Sequence, residues 1–139
     1  MNSATDGYAF DVSDVEKDAP AVAADFDPIP ESVTRARDLV RGMAGVGDAL
    51  EAVMTVVSEL ASNAVRHART RYRVSLQRRD RVMRVEVTDR GNGVPRVRNP
   101  DPLEPGGRGL IIVSAVALRW GVVRGMTDKT VWAELSVGE

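Results

Sequence analysis

The sequence predicts an α+β fold: a two-layer α/β sandwich whose mixed, mostly antiparallel sheet carries its helices on one face. Three observations predict it. Apolar residues recur at helical spacing over residues 33–43 and 53–64. They alternate with polar residues over 71–77, 81–89 and 130–137. The resulting order is β-α-α-β-β-loop-α-β-β, in which helices and antiparallel strands segregate instead of alternating one by one.

Each element has a local reason. "AVAADFDPIPES" reads as a short strand followed by a turn. "PESVTRARDLVRGMA" is a helix with Val33, Ala36, Leu39, Val40 and Met43 on one side. Pro30 stands near its start, Ser32 is a candidate cap, and "GVG" closes it. "DALEAVMTVVSELASNAVRHA" carries the strongest helical pattern, an apolar stripe of Val53, Val56, Val57, Leu60, Ala61 and Ala64, with Asp48 as a candidate N-cap. "RYRVSLQ" and "RVMRVEVTD" form a hairpin about the polar "RRDR". Pro95, Pro100, Pro102 and Pro105 then bar regular structure. "GLIIVSAVALRW" reads as an apolar helix, and "GVVRG" and "TVWAELSV" as a closing hairpin around "MTDK".

A chain of 139 residues is long enough for one domain with a real core. We expect residues 1–21 to be a flexible acidic tail and 22–139 a single domain. The tail holds Asp6, Asp11, Asp14, Glu16 and Asp18 against Lys17, a net −4 that leaves +3 for the rest. The whole chain is −1, so bulk charge nominates neither nucleic acid nor a membrane surface. Eight arginines lie between Arg66 and Arg84, but Arg71 and Arg73 share one strand parity and only Tyr72 offers a stacking ring, the pattern of a solvated face. With no cysteine, disulfides and thiolate chemistry are excluded. The single histidine, His67, cannot build a multi-histidine metal site, and at a helix end it suits the terminal carbonyls and dipole. Neither a secretory signal nor a membrane-length apolar run occurs, so a cytoplasmic location is expected.

Three clusters carry possible chemistry. Glu59 and Asn63 are four apart, about 40° from each other on a helix and to one side of the core stripe. A carboxylate and an amide oxygen there suit a hard cation, and the carboxylate suits a general base for an attacking hydroxyl. In "RVMRVEVTDRGNG", Asp89 falls on the apolar parity with Met83, Val85 and Val87, so a buried acid needs a partner. In the turn after it, Gly91-Asn92-Gly93, the two glycines lack Cβ atoms where something approaches the backbone. In "EPGGRGLIIV", Gly106, Gly107 and Gly109 precede a helix whose free N–H groups suit an anion, with Arg108 beside them. Neither a Walker-type nor a dinucleotide-type glycine pattern is present.

"ELASNAVRHA", then "DRGNG", then "GGRGL", then "KT" before a last strand resembles the GHKL superfamily with its Bergerat ATP-binding fold. The stand-alone size and the "ARDLVRG" helix ahead of "SELASNAVRHA" resemble the bacterial anti-sigma-factor serine/threonine kinases. The resemblance implies ATP and Mg²⁺ as cofactors, with Asn63 holding the metal and Glu59 activating the attacking hydroxyl. It implies that Asp89 accepts from the adenine amino group, Gly91 and Gly93 let the base pack close, and Thr130 assists there. It implies that Gly107, Arg108, Gly109 and Leu110 wrap the phosphates and that 94–106 is a lid. The implied partners are a sigma factor, an anti-anti-sigma antagonist and a second copy of the chain, with no direct nucleic-acid or membrane contact. Two functions fit: phosphorylation of the antagonist, or ATP-dependent sequestration without transfer.

Overall fold

In the computed structural model, residues 21–91 and 109–138 are described. The elements are β1 (Ala21–Phe26), α1 (Glu31–Arg41), α2 (Leu50–Asn63), β2 (Tyr72–Arg79), β3 (Val82–Asp89), α3 (Gly109–Val116), β4 (Arg119–Arg124) and β5 (Lys129–Ser136). The strands form one sheet in the order β1-β2-β3-β5-β4. The α+β class is as expected, and every pairing among the described strands is antiparallel, not mixed. The connections explain this. β2–β3 and β4–β5 are hairpins, and the two-helix crossover returns the chain antiparallel to β1.

The helices cover one face, with α2 packed between α1 and α3. The stripe expected on α2 is buried throughout, from Val53 to Ala64. It meets Val74 and Leu76 of β2, Met83, Val85 and Val87 of β3, and Val131, Ala133 and Leu135 of β5 in a single core. α1 adds Ala36 and Val40. Strand alternation therefore assigns these odd- and even-numbered positions to one side because only that side has a helix layer to bury them.

Three local expectations are corrected. The last helix stops at Val116, and Arg119 and Trp120 belong to β4. "ALRW" satisfies either period, but pairing of Arg119 with Glu134 and Trp120 with Ala133 gives those backbone groups ladder partners. Asp48 lies in a short 3₁₀ turn, Gly47–Ala49, one residue too early to cap α2. Ser32 lies inside α1 after Pro30, and its hydroxyl shares a hydrogen bond of 2.6 Å with the Tyr72 phenol.

Candidate nucleotide site

The α2 helix brings Glu59 and Asn63 to its C-terminal end, beside the buried stripe. Both side chains are half-buried. Among the described residues, no hydrogen bond or ion pair engages either of them. A carboxylate and an amide that remain open at the edge of an apolar core are available to a ligand. After Asn63 the helix widens into a π-helical turn, Ala64–Ala68. Arg69 then takes a left-handed conformation at φ 59° and donates its N–H to the Ala64 carbonyl at 3.2 Å. Such turns cost regular helix bonding and concentrate at functional sites. His67 lies in this turn and is exposed.

Asp89 ends β3 on the helix-facing parity and is 4% exposed. Its Oδ1 accepts the Gly91 N–H at 2.8 Å. The partner that a buried acid requires is Lys129, equally buried at the start of β5, with Nζ 3.5 Å from Oδ1. The sequence reading missed Lys129. Its signal was the parity of "KTVWAELSV", which aligns Lys129 with the core positions Val131, Ala133 and Leu135.

The same register sets the place of Thr130. Thr130 is opposite Thr88, and their hydroxyls share a hydrogen bond of 2.7 Å. Alternation therefore puts both on the other side of the sheet from Asp89 and Lys129. Gly91 also has an unexpected neighbour. A Cβ built there would lie 2.4 Å from Ala68 Cα, so the glycine gap is filled by the π-helical turn. At the other end, α3 begins at Gly109, and Leu110 is buried in the core, which fixes the helix start. Gly93, Gly107, Arg108 and the segment 94–106 lie outside the described residues, as do 1–20 of the expected tail.

The fold thus brings the end of β3 against the turn that follows α2, and α3 packs on α2 as well. A cleft of about 440 Å³ also touches Asp89, but its other walls are Asp25, Arg71, Tyr72, Arg73, Thr88, Arg90 and Asp128. Neither α2 nor α3 contributes to it. Among the described residues no cluster of three or more His, Cys, Asp or Glu side chains is poised for a metal. A metal carried on phosphate oxygens needs only one or two protein oxygens, fewer than such a cluster holds.

Residues 26–134 match the family model of the histidine kinase-like ATPase domain. The chain belongs to that family. The match runs from the end of β1 into β5, so it includes all three site elements. As a histidine kinase-like ATPase domain within the GHKL superfamily, the chain is an ATP-binding domain. No curated protein matches it. Among the described residues, no helix is long and apolar enough to cross a membrane.

Proposed function

We propose that this chain is an ATP- and Mg²⁺-dependent serine/threonine protein kinase that regulates a sigma factor by phosphorylating its anti-anti-sigma antagonist. One observation carries the kinase reading: Glu59 and Asn63 stand half-buried, four residues apart, and are free of protein partners among the described residues. Activation of an attacking hydroxyl calls for a free carboxylate beside the amide, which nucleotide binding alone does not require.

Phosphoryl transfer needs positioning and charge neutralisation more than covalent chemistry. The Asn63 side-chain oxygen is the group that would hold Mg²⁺, which when bound neutralises charge on the phosphates. Glu59 accepts the proton from the antagonist hydroxyl and orients that hydroxyl for attack. The backbone N–H groups at the start of α3, about Gly109 and Leu110, favour the phosphate charge. The carboxylate of Asp89 is the acceptor for the adenine amino group.

The test is transfer of labelled phosphate from ATP to a co-encoded antagonist. Glu59→Gln keeps size and polarity but removes the base. It should lower transfer by about 10²–10⁴-fold with nucleotide affinity nearly unchanged. Transfer at the unaltered rate overturns the assignment of Glu59. ATP binding without transfer by the natural chain makes it a sequestering regulator instead.

A further inference from the structure

The buried Asp89–Lys129 pair does more than balance charge. The carboxylate's hydrogen bond and the shortest approach of its ion pair both fall on one oxygen. Oδ1 takes the Gly91 N–H at 2.8 Å and the Lys129 ammonium at 3.5 Å. Two donors converging on one oxygen restrict the rotation of the carboxylate and favour Oδ2 as the acceptor for a ligand. The cation type matters here. The chain has 17 arginines and only two lysines, Lys17 and Lys129. An arginine fork engages both oxygens of a carboxylate, whereas an ammonium is a point charge that can sit on one.

We infer that Lys129 is a specificity-determining residue of the nucleotide site, holding Asp89 so that a single free oxygen selects the exocyclic amino group of adenine. This inference rests on the ATP-binding reading above. Adenine presents an amino donor where guanine presents a carbonyl oxygen. A fixed acceptor meets a donor in the first case and another acceptor in the second. A buried acceptor left facing an acceptor loses its hydrogen bond and gains repulsion. Lys129 touches the carboxylate and acts through it, so it is a positioning residue and takes no part in phosphate transfer.

The experiment compares affinities for ATP and GTP in the full chain. Lys129→Met keeps the length of the stem and removes the charge. The ATP-over-GTP preference should fall at least tenfold. Lys129→Arg should weaken ATP at least tenfold, because the fork takes the oxygen that the base needs. Because only two lysines exist, the Lys129 ammonium signal can also be followed by NMR in the unaltered chain, with Lys17→Met identifying the other. Saturating ATP should shift the Lys129 signal, and GTP at the same concentration should leave it in place. That measurement decides the matter even if a variant does not fold. Unchanged preference in Lys129→Met, unweakened ATP binding in Lys129→Arg, or an ammonium signal indifferent to ATP overturns the role of Lys129. If the unaltered chain binds no ATP at all, it is the nucleotide reading that fails.

Discussion

Gly91 lies against Ala68 so closely that a Cβ would stand 2.4 Å from the alanine Cα and 2.5 Å from its Cβ. This contact joins two segments of the site. Gly91 follows Asp89 and donates to it; Ala68 ends the π-helical turn that follows Asn63. The atoms in the way are backbone and a short methyl, neither of which can swing aside. Gly91→Ala should therefore push the β3 end away from α2 and cost about 1–3 kcal/mol, the range for overpacking. Denaturant unfolding measures this, and ATP affinity should fall with it as the Gly91 N–H leaves Asp89. An unshifted unfolding midpoint would show that the two segments are not locked together.

Tyr72 ties β2 to α1. Its ring stacks on Phe26 with centroids 5.6 Å apart, and its phenol shares the 2.6 Å hydrogen bond with Ser32. Tyr72→Phe keeps the stacking, removes the bond and leaves Ser32 buried, so it should cost about 1 kcal/mol at neutral pH. Burial raises the phenol above its ordinary value of 10.0, while the Ser32 hydrogen bond and the Arg35 charge pull against that rise. A raised folded pKa means that the unfolded chain gives up this proton first. The stabilisation is thus complete below about pH 10 and is lost as pH climbs from there through the higher folded value. Unfolding curves at pH 9 to 11 should show the natural chain losing more stability than Tyr72→Phe. Equal losses would contradict the burial of the phenol.

The sheet face away from the helices holds a buried charge network. Arg84 donates from Nε to Glu86 at 2.7 Å and from Nη1 to Glu134 at 3.0 Å. Arg119 donates to the other Glu134 oxygen at 2.6 Å, and the Arg84 guanidinium lies 4.3 Å over the Trp132 ring. Arg84 is 3% exposed and Glu134 5%. Removing one partner of such a pair leaves a buried charge undercompensated, so Glu134→Gln should cost about 3 kcal/mol. The double change Arg84→Met with Glu134→Leu should cost less than Glu134→Gln alone, because the charges that lose a partner, Glu86 and Arg119, are far more exposed than Arg84. A double-mutant cycle with strictly additive costs would show that the pair is not coupled.

Much of this was legible beforehand, and the misses share a cause. The α2 stripe could be read because all its apolar residues serve one core, so local period and tertiary burial agree. Asp89 could be placed on the buried side by strand parity alone. Parity puts Lys129 on that side too, but their pairing could not be read, because it depends on a register set 40 residues along the chain, which also takes Thr130 to Thr88. Ser32 read as a cap because a hydroxyl near a helix start usually is one; here a tertiary bond to Tyr72 claims it. "ALRW" carried no period that separates helix from strand, and only the competition for pairing with β5 decides it. The Glu59–Asn63 spacing was visible from the outset, while the π-helical turn beneath it had no sequence signal.

The central claim is that the ends of α2 and β3 and the start of α3 form one ATP site with its adenine end at Asp89. Calorimetric titration of the full chain with ATP and Mg²⁺, beside Asp89→Asn, tests it most directly. The asparagine keeps the shape but turns a charged acceptor into a neutral amide and breaks the pair with Lys129. The account predicts saturable ATP binding by the natural chain and a loss of at least about tenfold, roughly 1.4 kcal/mol, in the variant. Equal affinity in the two proteins would contradict it.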